Sequence, residues 1–113
     1  MNEWQRNLVH GTMPLNILAV LSSGPRHPYA IRQALIEGTQ SQLVPSEGTI
    51  YPLLTRLQKR GLVTSELQPG RGKQLRRVYA LTTKGRQELR AGVEAWSGFS
   101  RRMEALVRSA EIS

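Results

Sequence analysis

The sequence lacks cysteine and has only two histidines, His10 and His27, among 113 residues. Without thiols there is no disulfide framework and no thiolate metal site, and two histidines are too few for a histidine-based metal cluster. No apolar run approaches the roughly 18 residues that a membrane span needs. The N-terminus also lacks the basic and apolar regions of a secretory signal. These absences predict a cytoplasmic protein that uses no metal or other cofactor.

Catalytic motifs are also missing from the sequence. It has no paired-carboxylate constellation, no cysteine nucleophile and no phosphate-binding loop, and its two histidines lie in or near predicted turns. An active site needs a nucleophile, an acid or base, or a group that stabilises charge, placed together. We therefore predict that the chain is not an enzyme.

Acidic side chains are scarce, with 8 Asp and Glu against 16 Lys and Arg, which gives a net charge of +8. The segment from Arg56 to Arg90 holds ten of these cations and two acids, so it carries the entire net charge. Clustered cations attract polyphosphate and give salt-dependent binding. This distribution favours nucleic-acid binding, and a solvated basic surface is the alternative interpretation.

The N-terminal pattern predicts two helices. Residues 3–11 carry an apolar stripe and are expected to end at Gly11. Pro14 suits the first turn of a second helix over residues 15–22, which is apolar nearly all round and is the expected core helix. The stripe on the first helix consists of Trp4, Leu8 and Val9.

A third helix is predicted over residues 29–37. Pro28 opens it and Gly38 is expected to end it. Residues 39–45, which follow, are polar apart from Leu43 and Val44. We expect this stretch to be a connector or a short strand that seats a hairpin.

The stretch from Ser46 to Gly61 has the most specific pattern in the sequence. Ser46 is a predicted cap whose hydroxyl accepts an N–H one turn into the helix, and Gly61 is its predicted end. Pro52 lies inside and deprives the carbonyl of Gly48 of its donor, so a helix that begins one turn later is the alternative. One face is small, polar and cationic, and the other is an apolar stripe of Ile50, Leu53, Leu54 and Leu57.

A basic hairpin follows this helix directly. Its predicted strands are residues 62–67 and 76–81, with a glycine-rich tip at 69–72. A helix that leads into a basic hairpin is the plan of a winged helix, in which the helix reads bases in the major groove and the wing contacts phosphates or the minor groove. An ordinary solvated loop is the alternative for the wing. The predicted DNA-contacting residues are Ser46, Thr49, Tyr51, Pro52, Thr55, Arg56, Lys59, Arg71, Lys73, Arg76 and Arg77.

The last predicted helix is capped by Thr82 or Thr83 and runs to about Arg108. Its apolar residues recur in steps of three and four, close to a heptad seam. A lone domain exposes such a stripe and a dimer buries it, so we predict a homodimer; folding back onto the chain's own core is the alternative. The predicted interface residues are Trp4, Leu8, Leu89, Val93, Trp96, Phe99, Met103, Leu106 and Val107.

The predicted fold is therefore mainly α with a small β-hairpin. It comprises a winged helix-turn-helix DNA-binding domain over residues 1–82 and a C-terminal dimerisation helix over residues 83–113. The N-terminal helix at 3–11 is expected to join the dimer as well.

Between about residues 15 and 90 the sequence contains the motifs Pro28-Tyr29-Ala30-Ile31, Gly48-Thr49-Ile50-Tyr51-Pro52-Leu53-Leu54, Arg56-Leu57, Gly61-Leu62-Val63, and Tyr79-Ala80-Leu81-Thr82 with Gly85 and Leu89. Together these motifs resemble the PadR family of bacterial transcriptional regulators. The helix motif that begins at Gly48, followed by the motifs at Gly61 and Tyr79, is a specific combination, although each motif alone is weak evidence. One departure is Pro28, which follows His27 where the family often has glycine.

The resemblance implies a dimer that binds a near-palindromic operator in double-stranded DNA and usually represses transcription. It also implies that Tyr51 contacts DNA or supports the recognition helix, and that the first and last helices make the dimer. A single C-terminal helix resembles the short subfamily, some of whose members sense planar hydrophobic compounds at the dimer interface. The resemblance implies that Trp96, with Trp4 and Phe99 nearby, is a candidate to bind such a compound. Ordinary interface packing is the favoured interpretation of these residues, because interfaces are rich in aromatic residues.

A function from another class stays open at this stage. The chain could be a winged-helix module that assembles a protein complex without binding DNA. Its basic helix and wing favour DNA, because the core of a protein interface is normally depleted in charge.

Overall fold

The computed structural model describes residues 2–39, 46–72 and 74–110, and over these ranges it is mostly helical with one two-stranded antiparallel hairpin. The predicted fold class is confirmed. No helix in the described ranges has the length and apolarity to cross a membrane. The elements are α1 (Glu3–Leu21), α2 (Pro28–Thr39), α3 (Glu47–Lys59), β1 (Val63–Pro69), β2 (Leu75–Leu81) and α4 (Thr83–Ser109).

The two helices predicted at the N-terminus form one continuous helix, α1, so the predicted break at Gly11 is wrong. The Asn2 side chain accepts from the Gln5 N–H at 2.8 Å and the Gln5 side chain accepts from the Asn2 N–H at 3.0 Å, a capping box. Inside a helix, glycine costs about 1 kcal/mol and proline about 3 kcal/mol. Four core side chains offset this, since burying each contributes roughly 1.5–3 kcal/mol. They are Met13, Ile17, Leu18 and Leu21.

The second helix, α2, begins at Pro28 as predicted and continues one residue past Gly38, which does not end it. Residues 40–45 of the predicted connector lie outside the described residues. The hairpin instead gains an edge partner just before α2, where Arg26 bridges Tyr79 through two backbone hydrogen bonds of 2.9 and 2.8 Å. A bridge of one residue leaves no periodicity in the sequence, which is why the pattern did not predict it.

The third helix, α3, begins at Glu47, so the later start suggested by Pro52 is excluded. Ser46 has the extended backbone of a cap, but its hydroxyl makes no capping hydrogen bond and lies 3.5 Å from the Thr49 hydroxyl. The prediction that the Ser46 hydroxyl caps the helix is therefore wrong. The Ser46 carbonyl does accept hydrogen bonds from the first N–H groups of the helix.

The end of α3 is confirmed at Gly61, which has a φ of +77° that favours glycine. The Gly61 N–H donates to Gln58 at 2.9 Å, and the Leu62 N–H donates to Leu57 at 3.0 Å. These two bonds form a Schellman motif.

The two strands pair from Val63 opposite Leu81 to Pro69 opposite Leu75. Both are slightly longer at the tip than predicted, and Pro69 belongs to β1 instead of the tip. Side chains alternate between two faces along each strand. The inner face contributes Val63 and Tyr79 to the core.

One core joins α1, α2, α3 and the base of the hairpin. The last helix begins at Thr83 with Thr82 as its cap, since the Thr82 hydroxyl accepts from the Gly85 N–H at 3.0 Å. Leu89 packs against the core, and the later apolar residues of α4 are exposed. The domain thus presents a compact body and a long helix whose apolar stripe beyond Leu89 is largely exposed.

Candidate nucleic-acid interface

Two faces of α3 separate as the sequence predicted. Ile50, Leu54 and Leu57 are buried in the core. The opposite face is exposed, and the Thr55 hydroxyl on it donates to the Tyr51 carbonyl at 3.1 Å. The exposed residues of this face are Thr49, Tyr51, Pro52, Thr55, Arg56 and Lys59. The apolar anchor thus leaves polar and cationic groups free to meet a ligand.

The wing tip is a tight turn between β1 and β2. The Gly70 N–H donates to the Gln74 carbonyl at 2.7 Å, and Gly72 has a φ of +69°, a conformation that suits glycine. Arg71 is exposed at this tip. Lys73, also predicted to contact DNA, lies outside the described residues.

Arg76 and Arg77, which the sequence grouped together, point to opposite faces of β2 because they are neighbours on one strand. Arg77 lies on the inner face and donates to the Ser65 hydroxyl at 3.0 Å, and that hydroxyl donates to the Gln58 side chain at 3.0 Å. This chain connects the wing to α3. Gln58 and Ser65 were missed from the sequence, because only the folded hairpin brings them together.

Arg76 contacts a residue that the sequence did not assign to DNA binding. Its Nη1 lies 3.0 Å from Nε2 of His27, just before α2. The His27 ring lies 6.3 Å from the Tyr29 ring, with an interplanar angle of 25°. The second wing strand thus contacts the start of α2 as well as α3.

The described ion pairs leave several cations of this surface available to bind an anionic ligand. The described ion pairs join Arg60 to Glu88 at 3.6 Å and Arg108 to Glu104 at 2.6 Å, both exposed and each worth little. Four arginines of this surface form no ion pair with a described residue, namely Arg56, Arg71, Arg76 and Arg77.

Tyr79 lies behind this surface in the core. Burial raises the pKa of its phenol, and the charge of Arg77 opposes that rise. The phenol therefore stays neutral at physiological pH and acts as a packing residue.

The start of α4 is joined to the end of α3. The Thr82 hydroxyl donates to the Gly61 carbonyl at 2.6 Å, and the Lys84 ammonium donates to the Arg60 carbonyl at 2.9 Å. The Thr82 N–H donates to the Leu62 carbonyl at 3.1 Å. We call these contacts the α3–α4 junction.

The predicted dimer residues lie mostly exposed on the chain. Trp4 is 77% exposed on α1, and Val93 and Trp96 are 47% and 52% exposed on α4. The further exposed members are Leu8, Phe99, Met103, Leu106 and Val107. Leu89 differs, since it packs against the core.

Comparisons with known proteins agree on one family. The model of the transcriptional regulator PadR-like family matches residues 17–91. The transcriptional regulator YqjI of Escherichia coli (strain K12) is 37% identical over 101 residues, covering 89% of this chain and 47% of that protein. The chain therefore spans about half the length of the curated relatives it matches.

Two solved structures share the fold. A PadR-like transcriptional regulator from Bacillus cereus strain ATCC 14579 has a TM-score of 0.77 and 28% identity, covering 93% of this chain and 99% of that one. Bacillus subtilis PadR, solved in complex with operator DNA, has a TM-score of 0.67 and 27% identity, covering 73% of this chain and 46% of that one.

Proposed function

The chain belongs to the PadR-like family of transcriptional regulators, and from this premise we propose that it is a homodimeric, sequence-specific DNA-binding protein that represses transcription in the cytoplasm. The observation that carries the proposal is the exposed cationic face of α3 beside the basic wing. The similar Bacillus subtilis PadR was solved on operator DNA. Family membership confirms that the chain is a regulator and not an enzyme.

The outer face of α3 is the proposed reader of bases. Arg56 can pair with guanine through two hydrogen bonds, and Lys59 can pair as a point charge. The threonine methyls at 49 and 55 can contact thymine methyls. Ser46 and the first free N–H groups of α3 suit a phosphate.

The wing is the proposed source of affinity. Arg71 reaches out from its tip, and phosphate contacts position a protein without reading sequence directly. Lys73 is proposed to contact phosphates as well, on the basis of its position in the sequence.

The exposed stripes on α1 and α4 support the proposed homodimer. A two-fold dimer uses the same surface on both subunits, and it places two recognition helices on two half-sites of a near-palindromic operator. Trp96, Trp4 and Phe99 serve first as packing residues in this interface. A planar hydrophobic effector bound among them is the proposed means of releasing DNA, and quenching of tryptophan fluorescence by candidate compounds tests it.

The test of DNA binding is a mobility-shift assay with genomic fragments across a salt series. Binding that weakens steeply as salt rises is expected, because cations on α3 and the wing displace counterions from phosphates. A winged-helix module that binds only proteins would leave the fragments unshifted even at low salt. That result would overturn the proposal, and operator selection on the bound fragments would identify the sequence.

Replacing Arg71 and Lys73 by alanine is expected to weaken binding to operator and random DNA alike. Losing two phosphate contacts should reduce the magnitude of the negative slope of log affinity against log salt by about two. The matched control replaces Arg101 and Arg102, two exposed arginines of α4, by alanine. If both double variants change the slope equally, the wing has no special role and only net charge matters.

A further inference from the structure

A groove runs between the start of α2, the first half of α3 and the second wing strand. It has a volume of about 300 Å³, and none of the described residues that line it is acidic. The lining residues that matter below are His27, Tyr29, Tyr51, Leu75, Arg76 and Arg77. Three of them, His27, Tyr29 and Leu75, have no role in the base-reading face or the wing tip.

The position of this groove follows from how a winged helix meets DNA. If α3 enters the major groove and the wing reaches the neighbouring minor groove, one sugar–phosphate strand separates the two elements. That strand must cross the gap between α3 and the wing. In this protein the gap is the groove.

The chemistry of the groove matches a nucleic-acid backbone. Such a strand alternates anionic phosphates with apolar deoxyribose faces. Two cationic residues, Arg76 and Arg77, line the groove beside Tyr29 and Leu75, which are 57% and 62% exposed. Exposed apolar side chains flanked by cations suit sugar and phosphate together, whereas an apolar ligand would leave the guanidinium groups unused.

The contact between His27 and Arg76 points to an oxyanion. The Ala30 N–H donates to His27 Nδ1 at 3.2 Å, and Arg76 Nη1 lies 3.0 Å from Nε2. A neutral imidazole has one acceptor nitrogen and one N–H. If Nδ1 accepts from Ala30, the Nε2–H and the Arg76 N–H are two donors facing each other. A phosphate oxygen that lies to one side of both nitrogens could accept from both.

We infer that this groove seats the DNA strand lying between the major and minor grooves, that Tyr29 and Leu75 contact its sugars, and that His27 positions one of its phosphates beside Arg76. The inference rests on the proposed DNA binding and adds residues that neither α3 nor the wing tip supplies.

The first test places a carboxylate in the groove. Tyr29→Glu should weaken binding to a short random-sequence duplex by about tenfold or more, measured by fluorescence anisotropy, because the new charge faces phosphates. Thr64→Glu is the matched control, since Thr64 is exposed on the outer face of the same hairpin. Leu75→Glu provides a second groove variant on a different element, should Tyr29→Glu alter the fold.

The outcomes separate the two proposals. A wild-type protein that binds no DNA overturns the proposed function. A wild-type protein that binds, together with folded Tyr29→Glu and Leu75→Glu variants that bind no more weakly than Thr64→Glu, overturns the groove inference alone.

The second test addresses His27 as a positioning residue. His27→Asn keeps a side chain that can cap α2 but is too short to reach the phosphate that Arg76 contacts. His27→Asn and Arg76→Gln should each reduce the magnitude of the slope of log affinity against log salt by about one. The double variant should reduce it no further. The thermal midpoint of His27→Asn should stay near that of the wild type. Slopes that are unchanged, or that fall additively, would contradict the coupling.

Discussion

Gly85→Ala is expected to lower the free energy of unfolding by at least about 3 kcal/mol, the upper part of the range for overpacking a core. A Cβ at this position would overlap the backbone carbonyl oxygen of Leu62. That oxygen accepts the Thr82 N–H and cannot rotate away like a side chain. The change would therefore push α4 off the end of α3. Urea unfolding followed by circular dichroism measures the loss.

Gly11→Ala is the matched control for this prediction. Gly11 also lies inside a helix, but an added Cβ would meet no heavy atom within 4 Å. Alanine should therefore raise stability by up to about 1 kcal/mol, the difference in helix propensity. Similar stabilities for the two variants would mean that the close approach at Gly85 carries no energetic weight.

Replacing Val93 and Trp96 together by glutamate is expected to convert the proposed dimer into monomers. The change would place two charges in each copy of the interface, and an uncompensated buried charge costs several kcal/mol. Analytical ultracentrifugation measures the state directly. Binding to a palindromic operator should weaken with it, because a monomer contacts one half-site.

The matched control for this second prediction replaces Gln87 and Ala91 by glutamate. Both are exposed on α4, outside the apolar stripe. This variant should remain a dimer. A Val93 and Trp96 variant that also sediments as a dimer would place the interface elsewhere on the molecule.

The features predicted correctly from the sequence are those encoded by neighbouring residues. The apolar stripe of α3 follows from helical spacing, and Gly61 ends the helix because its backbone needs a positive φ. The length of α4 follows in the same way from its repeating apolar residues. Local patterns of this kind do not depend on the rest of the fold.

The features that were missed or mispredicted depend on distant parts of the chain. Gly11 and Pro14 favour a break locally, but burial of the second half of α1 outweighs that preference. The contact of His27 with Arg76 joins residues 49 positions apart. Gly85 is small because Leu62 lies against it. None of these relations leaves a spacing that the sequence alone reveals.

The α3–α4 junction connects the proposed recognition helix to the proposed dimerisation helix through hydrogen bonds. With 27 residues, α4 is about 40 Å long. In the proposed dimer, a rotation of about 5° between the two copies of α4 sweeps the far end through about 3.5 Å, close to the rise of one base pair. In such a dimer, the angle between the two copies of α4 would select operators by the distance between their half-sites, separately from the bases within them.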